Sequence, residues 1–255
     1  MFANDTVSDL ASVKCGVPQG SVLGPLLFIL YINDIVNSSL ILKFILFADD
    51  TNLFHSANNI TDLLTTVNCE LKKLCNWFKA NKLSLNVDKT KFILFGKKGQ
   101  KVDSKQCSVR IDNNILERVS DTKFLGIYID ENLNWKRHVS EIYARVSKSV
   151  GMLNRVKKFL SKACLKMLYD SFILSQIVYC NIIWGWASNT TLEKLKILQK
   201  RAVRIINHSQ YRESTKQIFK SLNILKLVDL HRLQVLLFIF KSEKKSFAIV
   251  LFTSC

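Results

Sequence analysis

The sequence contains few residues that break regular structure and no long apolar run. Only two prolines and eight glycines occur among its 255 residues. The longest late apolar runs, residues 235–240 and 247–252, are far shorter than the ~20 apolar residues that span a bilayer. The first residues include Asp5 and Asp9 and lack the basic start and apolar core of a secretory signal. We therefore expect an intracellular protein, nuclear or cytoplasmic, with no membrane partner.

Cysteine is common, but its spacing argues against both a disulfide framework and a metal site. The seven cysteines are odd in number and scattered, and they include no Cys-x-x-Cys pair. None of the four histidines stands at ligand spacing from a cysteine. The sequence therefore favours reduced thiols that fill core space over a zinc site.

Charge is distributed unevenly along the chain. The net charge is +17, from 37 basic and 20 acidic residues, and 48% of the residues are hydrophobic, as in a folded protein. Residues 1–95 hold eight basic and eight acidic residues, so residues 96–255 carry the whole surplus, most densely at 155–166 and 194–204. Such a surplus favours a phosphate backbone as partner, although a single lysine more often solvates a helix face.

Two adjacent aspartates follow an apolar run. Residues 44–48 read Phe-Ile-Leu-Phe-Ala and lead into Asp49 and Asp50. A run this apolar is typical of a buried strand. Two ionised carboxylates beside it repel each other, and each loses hydration worth several kcal/mol. Either open water at a turn or a divalent cation held by oxygen ligands offsets that cost.

Residues that specify backbone conformation are concentrated upstream of this pair. Residues 16–25 read Gly-Val-Pro-Gln-Gly-Ser-Val-Leu-Gly-Pro and contain both prolines and three of the eight glycines. Special backbone conformations are therefore expected here. The apolar residues 26–32 that follow favour a buried helix, with Ser21 as its N-cap and Pro25 in its first turn.

These two segments resemble conserved blocks of reverse transcriptases. The fourth conserved block of that family is similar to residues 16–28 and 31–35. The next block, which forms the catalytic hairpin, is similar to residues 47–50 (Phe-Ala-Asp-Asp). The pattern is most similar to non-LTR (LINE-type) retrotransposons of the jockey kind. Weaker similarity continues in residues 81–91, in residues 124–127 (Phe-Leu-Gly-Ile) and at Trp135 and His138.

The resemblance implies an RNA-directed DNA polymerase that transfers nucleotides with two Mg²⁺ ions, in a two-ion site that is incomplete in this chain. It also implies an RNA template, a DNA primer and deoxynucleotides as partners, in an intracellular ribonucleoprotein. It implies that Asp49 and Asp50 hold the metal and that Lys89 protonates or neutralises pyrophosphate. Because strand side chains alternate, Asp49 is expected to be the firmer ligand. A solvated loop lysine is an equally good interpretation of Lys89. Template and substrate contacts are expected from residues in the blocks and in the primer-grip-like segment: Gln19, Gly20, Phe47, Ala48, Leu125 and Gly126.

Two parts of such an enzyme are not evident in the sequence. The family's third catalytic aspartate lies several tens of residues before the Pro-Gln-Gly block, and neither Asp5 nor Asp9 has its apolar-strand context. No fingers region is recognised. We therefore expect an N-terminally truncated reverse transcriptase that is inactive by itself. The alternatives are a non-catalytic nucleic-acid-binding remnant of a retrotransposon and a pseudogene product without a selected role.

Hydrophobic periodicity predicts an α+β fold in two parts. Residues 1–130 are expected to form a partial palm, an antiparallel sheet with helices, and residues 131–255 an all-helical thumb and basic C-terminal extension. The palm prediction contains helices at 22–36 and 59–80, a hairpin of strands 41–48 and 51–55, and strands at 12–15, 91–96, 107–111 and 122–129. Helical spacing also marks residues 142–160, 192–206 and 233–240. Core packing is expected more often than stacking on bases for Trp135, Tyr179, Trp184 and Trp186.

Overall fold

The computed structural model describes residues 2–3, 6–7, 16–18, 20–96 and 108–245, which form a mixed helical and β-sheet protein. The α+β class expected from periodicity is confirmed at this level. The chain divides into two compact units, Met1–Phe92 with Gln100–Arg118, and Ile93–Gly99 with Val119–Cys255. The assignment of residues 1–130 to a palm and 131–255 to a thumb stays a prediction. The strand expected at 12–15 lies outside the described residues.

The first unit combines two long helices with short strands. Its helices are α1 (Leu23–Ile32) and α2 (Ile60–Ala80), and 3₁₀ turns cover Asn33–Ser38 and Val87–Lys89. Antiparallel pairs join β1 (Phe2–Ala3) to β2 (Thr6–Val7), β3 (Lys43–Phe47) to β4 (Asp50–Phe54), and β6 (Arg110–Ile111) to β7 (Asn114–Ile115). One parallel pair joins β5 (Lys91–Phe92) to β8 (Glu117–Arg118). Each described strand has a single partner, so the expected sheet is present as separate two-stranded ribbons.

Helix α2 forms the centre of the first unit's core. Its apolar residues recur at helical spacing, as predicted, and Leu71, Leu74 and Phe78 are buried together with Ile35. Cys75 lies in the same core as a free thiol, and burial raises its pKa. Cys69, which also lies in α2, is exposed. The expectation that the thiols fill core space therefore holds only in part.

Helix α1 is far more exposed than the sequence predicted. Its bounds lie within the predicted helix, but Ile32 is its only buried residue, and Leu30 is 65% exposed. Phe28 and Ile32 alone reach the core cluster. The expectation of a buried helix was therefore wrong for this chain, because an all-apolar pattern predicts a helix but does not identify the surface that would cover it.

The second unit is a short hairpin followed by helices. The hairpin pairs β9 (Asp121–Phe124) with β10 (Ile127–Asp130). The helices are α3 (Lys136–Val156), α4 (Lys162–Tyr169), α5 (Ser175–Val178), α6 (Asn181–Trp184), α7 (Asn189–Ile206), α8 (Thr215–Ser221) and α9 (Leu227–Lys245), with a π-helical turn at Asp170–Leu174. The three predicted helices correspond to α3, α7 and α9. In the described part of the chain, no helix is both long and apolar enough to cross a membrane.

Helices α3 and α7 share the core of the second unit. Val146, Val150 and Leu195 are fully or almost fully buried in it. Trp184 is also fully buried, and its indole N–H donates to the Tyr179 carbonyl at 2.8 Å, so it packs in the core as expected. The neighbouring tryptophan at position 186 is 72% exposed.

One buried polar side chain ties three segments of this core together. The Gln199 side-chain amide donates to the Tyr169 hydroxyl and to the Leu225 carbonyl, both at 2.9 Å. Its side-chain oxygen accepts from the Leu227 N–H at 2.9 Å. Because donor and acceptor are both satisfied, this glutamine is stabilising despite complete burial.

Candidate active site

The two aspartates lie at the tip of an antiparallel hairpin. Strand β3 pairs with β4 in a register that places Phe47 opposite Asp50 and leaves Ala48 and Asp49 as a two-residue turn. Ala48 has a φ of +50°, which is uncommon for a residue with a side chain but occurs in tight hairpin turns. The predicted strand ends agree with the observed ones to within about two residues.

The hairpin has one face on the core and one in solvent. Phe44 and Leu46 are half-buried and pack against the cluster around α2. Side chains alternate along a strand, so Phe47 and Asp50 form a cross-strand pair on the opposite face. Phe47 is 59% exposed there. The solvent face therefore carries an aromatic ring directly beside a carboxylate.

Both carboxylates are exposed to solvent. Among the described residues, neither Asp49 nor Asp50 donates or accepts a side-chain hydrogen bond or joins an ion pair. The same residues contain no group of three or more His, Cys, Asp or Glu side chains that could hold a metal ion. The adjacent pair alone supplies two oxygen ligands, which suits Mg²⁺ because that ion usually completes its shell with water and substrate phosphates.

The segment before α1 adopts the special backbone that its composition predicts. Gly16 and Gly20 both have a φ of +84°, and a Cβ on either would meet open space, so glycine is required by conformation and not by crowding. The Ser21 N–H donates to the Pro18 carbonyl at 3.2 Å, and its hydroxyl accepts from the Gly24 N–H at 3.1 Å. The prediction of Ser21 as the N-cap was therefore wrong by one residue, because Val22 is the N-cap, although the Ser21 hydroxyl still binds an N–H of the first turn. Gln19 lies outside the described residues.

Helix α1 links this bend to the core face of the hairpin. Phe28 packs in the same cluster as Phe44. The Tyr31 hydroxyl donates to the carbonyl of Asn81, which begins the block-like segment 81–91. The bend, the aspartate hairpin and that segment therefore belong to one compact unit.

Lys89 ends a short 3₁₀ turn within the same unit. Its backbone N–H donates to the Asn86 side-chain oxygen at 3.2 Å, and the Thr90 hydroxyl donates to the Asn86 carbonyl at 2.8 Å. The lysine side chain is exposed and joins no ion pair within the described chain. The backbone is fixed while the ammonium group is free, which suits both the solvated and the pyrophosphate-binding interpretations.

Leu125 and Gly126 form the two-residue turn of the β9–β10 hairpin, in the second unit. Their φ angles are +44° and +85°, as tight hairpin turns require. The Tyr179 hydroxyl donates to the Leu125 carbonyl at 2.6 Å, and its ring lies 3.4 Å from the position of a Cβ on Gly126. The sequence indicated that Tyr179 is an aromatic residue that packs or stacks, but it did not indicate the contact with Leu125. The two residues are 54 positions apart, and such a contact leaves no local sequence pattern.

A buried histidine follows this hairpin. His138 lies near the start of α3, and its Nδ1 accepts a hydrogen bond from the Tyr128 N–H at 3.3 Å. Among the described residues its Nε2 has no hydrogen-bond partner, and the ring packs edge-on against Trp184 with 5.8 Å between ring centroids. Burial, helped by the charge of Arg145, lowers the pKa of His138 to about 4. The neutral imidazole is therefore a structural hydrogen-bond acceptor for the hairpin.

One stretch of the sequence matches a known protein family. It contains the aspartate hairpin, the bend, the Lys89 turn and the Leu125–Gly126 turn. The family described as reverse transcriptase (RNA-dependent DNA polymerase) matches residues 4–129. Residues 4–129 belong to the reverse-transcriptase family. Every predicted site residue lies inside this reverse-transcriptase segment. The structure gathers only residues 47–50 on one element; Gly20 and Lys89 lie elsewhere in the first unit, and Leu125 and Gly126 lie in the second.

Relatives of known origin extend the similarity beyond the reverse-transcriptase segment. The chain is 24% identical to the "RNA-directed DNA polymerase from mobile element jockey" of Drosophila melanogaster, over 87% of this chain and 25% of the relative. It is 28% identical to the "Probable RNA-directed DNA polymerase from transposon BS" of the same species, over 83% of this chain and 24% of the relative. The expected resemblance to jockey-like non-LTR retrotransposons is thereby confirmed.

A third relative comes from a mobile element with a different name. The chain is 26% identical to the "Retrovirus-related Pol polyprotein from type-1 retrotransposable element R1" of Bradysia coprophila, over 88% of this chain and 21% of the relative. The chain spans about a quarter of the length of these three relatives. No solved structure matches it.

Proposed function

We propose that this chain supplies the palm and thumb of an RNA-directed DNA polymerase from a jockey-like non-LTR retrotransposon. The substrates are deoxynucleotides, which the enzyme adds to a DNA primer as it copies an RNA template. One observation carries the proposal: two adjacent, unpaired carboxylates stand at an exposed hairpin tip inside a reverse-transcriptase segment. Because both carboxylates are exposed, their oxygens are accessible to a Mg²⁺ ion that also binds water and nucleotide phosphates.

The donor set at the hairpin tip fits Mg²⁺. Asp49 lies in the turn, where its side chain is free to approach an ion, and we assign it as the firmer ligand. Asp50 begins β4 opposite Phe47, and we assign it as the weaker ligand. Metal ions held there would activate the primer 3′ oxygen and neutralise the charge that develops on pyrophosphate.

The neighbouring residues position the primer and nucleotide. Ala48 has a small side chain and a left-handed backbone, so it leaves room for a primer terminus at the turn. The exposed ring of Phe47 offers an apolar contact for a ribose or base on the same face as Asp50. Gly20 has no side chain to obstruct the approach of template or nucleotide to the bend, where Gln19 is the expected polar contact.

Two further roles follow the resemblance. Lys89 is the cation for the leaving pyrophosphate, because its ammonium group is unpaired in the described structure and its backbone is fixed by Asn86. Leu125 and Gly126 contact the primer from the tip of β9–β10, which Tyr179 holds through the Leu125 carbonyl.

The metal assignment is testable without catalysis. Fe²⁺ replaces Mg²⁺ at oxygen-ligand sites, and with ascorbate it cleaves the nearby backbone. We expect cleavage of the purified chain around residues 47–50 in the presence of a primer–template duplex and a deoxynucleotide, and its loss in Asp49→Asn. Asp62→Asn, which removes an exposed carboxylate from α2, is the matched control. Equal cleavage in all three proteins would refute the assignment.

Primer extension tests whether the chain is active by itself. With Mg²⁺, an RNA template and a DNA primer, we expect extension at background, because the third catalytic aspartate and the fingers are not recognised in this sequence. Robust extension that Asp49→Ala abolishes would overturn the expected inactivity and would strengthen the polymerase assignment.

A non-catalytic nucleic-acid-binding role is the second candidate, favoured by the charge distribution. All 17 of the surplus positive charges lie in residues 96–255, outside the aspartate hairpin. Filter binding to an RNA–DNA hybrid across a salt series measures the phosphate contacts directly, since each adds about 0.7–0.9 to the salt slope. Steep salt dependence together with no iron cleavage at residues 47–50 would favour this candidate.

A further inference from the structure

A cationic cavity lies in the helical unit, outside every site that sequence similarity assigns. It opens between the C-terminal ends of α3 and α7 and the loop after α7, with a volume of about 340 Å³. The two stretches of sequence densest in basic residues, 155–166 and 194–204, both contribute to it. Seven of its eight lining residues have a polar or charged side chain, and the eighth is Ile205: Asn154, Lys157, Arg201, Arg204, His208, Ser209 and Tyr211.

No acidic side chain balances the cations of this cavity. None of its lining residues is Asp or Glu. Among the described residues, Lys157, Arg201 and Arg204 join no ion pair, whereas neighbouring cations such as Lys166 and Lys196 are paired with carboxylates. Three unpaired cations held near one another repel, so an anion in the cavity relieves a cost that the free protein bears.

The cavity wall is built by specific hydrogen bonds. The Arg204 Nε donates to the Glu213 carbonyl at 2.8 Å, which fixes the guanidinium and leaves its two terminal nitrogens without a partner in the described structure. The Lys162 ammonium donates to the Asn207 side chain at 2.5 Å and so ties α4 to the loop. Arginine in a fixed orientation binds phosphate in a bidentate manner.

The end of α7 does not cancel this positive charge. Its last carbonyls, which carry the negative end of the helix dipole, accept N–H groups from the loop: Val203 from Asn207 at 3.0 Å and Arg204 from Ser209 at 2.9 Å. His208 makes this turn with a φ of +55°. The side-chain cations therefore dominate the field in the cavity.

Tyr211 adds an aromatic platform at the rim. Its side chain is 80% exposed and lines the cavity together with the cations. An aromatic ring beside a positively charged groove is the arrangement that binds single strands, because a base stacks on the ring while its phosphate meets the cations. A cavity of about 340 Å³ accommodates one nucleotide and not a duplex.

We propose that this cavity binds single-stranded nucleic acid, with one backbone phosphate on Lys157, Arg201 and Arg204 and the adjacent base on Tyr211. The inference rests on the proposed function, which supplies nucleic acid as the partner. It adds where on the protein the nucleic acid binds and that the bound segment is single-stranded. The site takes a phosphodiester, and not free phosphate, because the exposed ring offers a base contact that inorganic phosphate cannot use.

Binding of a fluorescent oligouridylate to the full chain tests the site. Lys157→Gln with Arg201→Gln is expected to weaken binding about tenfold at moderate salt and to reduce the salt slope by about 0.7, for the one lost phosphate contact. The control, Lys148→Gln with Lys200→Gln, removes the same charge from exposed positions on the same two helices and should leave both values unchanged. Tyr211→Ala should weaken binding about fivefold or more, and Tyr211→Phe less than about twofold.

Competition by inorganic phosphate tests the base contact, and comparison of the variants with wild type tests the cavity assignment. Inorganic phosphate that displaces the oligonucleotide at the same concentration as a uridine nucleotide would overturn the base contact. Equal affinity and salt slope in wild type and the Lys157/Arg201 variant, with wild type still binding an RNA–DNA hybrid, would overturn the cavity assignment alone. Failure of wild type to bind any nucleic acid would overturn the proposed function as well. Matching circular dichroism melts verify that each variant is folded.

Discussion

Burial makes the imidazole of His138 a weaker base in the folded protein than in the unfolded chain. Its side chain is 4% exposed, and its pKa falls from the usual 6.5 to about 4. Between those values the unfolded chain binds a proton that the folded chain does not, so stability is complete above pH 6.5 and is lost as the pH falls toward 4. The loss approaches about 3 kcal/mol.

We expect His138→Gln to remove most of this pH dependence. A glutamine oxygen can still accept the Tyr128 N–H but does not titrate in this range. Urea unfolding followed by circular dichroism between about pH 4 and pH 7 gives the slope of stability against pH for each protein. His55→Gln is the control at a histidine that is only half-buried. Identical slopes in wild type and both variants would contradict the role of His138.

Gly185 occupies a position where no side chain fits. A Cβ there would lie 2.3 Å from Nδ1 of His231 and 2.5 Å from the carbonyl of Asn181. Both neighbours are buried and joined to each other by a hydrogen bond at 3.1 Å, so neither yields cheaply. We therefore expect Gly185→Ala to destabilise the fold by about 1–3 kcal/mol.

For a glycine inside α3 we expect substitution by alanine to have the opposite effect on stability. A Cβ at Gly151 meets nothing within 4 Å, and the residue is in mid-helix, so Gly151→Ala should stabilise by about 0.5–1 kcal/mol. Thermal melts of the two variants should shift in opposite directions. A shift of the same sign in both would show that the close contact at Gly185 is not what limits substitution.

Among the secondary-structure elements, hairpin β9–β10 depends on a distant tyrosine. The Tyr179 hydroxyl bonds the Leu125 carbonyl, so Tyr179→Phe should cost about 1 kcal/mol and speed hydrogen exchange of the amides near residues 124–127. Tyr143→Phe is the matched control, because its exposed hydroxyl has no hydrogen bond among the described residues. Faster exchange in both variants, or in neither, would mean that the hydroxyl does not hold the turn.

Elements defined by local pattern were predictable from the sequence. The aspartate hairpin follows from an apolar run and a short turn, and α2 follows from apolar residues at helical spacing, and both are observed at nearly the predicted bounds. The glycines at 16 and 20 were expected to adopt special conformations, and both have positive φ. These features depend on residues close in sequence, which a pattern records.

Features that depend on distant contacts were not predictable. The exposure of α1 depends on which surfaces are present to cover it, and its composition alone favoured burial. The Tyr179–Leu125 contact and the cavity between α3 and α7 bring together residues separated by tens of positions. Sequence reasoning located the two basic stretches that form the cavity but not their convergence, and it did not identify His208 or Tyr211 as part of it.

At the level of the whole molecule, charge and apolar exposure act in opposite directions. A net charge of +17 opposes association through self-repulsion. That repulsion is screened within about 10 Å at 0.1 M salt, whereas contact between apolar surfaces is not. Self-association should therefore increase with salt, while binding to nucleic acid decreases with it. The two processes can be separated by their salt dependence in one preparation.

Exposed apolar residues on α1 should drive that association. Leu26 and Leu30 are 54% and 65% exposed, and contiguous apolar patches on soluble proteins mark association surfaces. We expect Leu26→Gln with Leu30→Gln, which keeps the charge, to lower the average mass measured by light scattering at high salt without changing the melting temperature. Leu225→Gln with Val228→Gln, at two other exposed aliphatic positions, should leave the mass unchanged. A wild-type chain that stays monomeric at high salt would contradict this prediction, because the patch would then be too small or too well hydrated to pair.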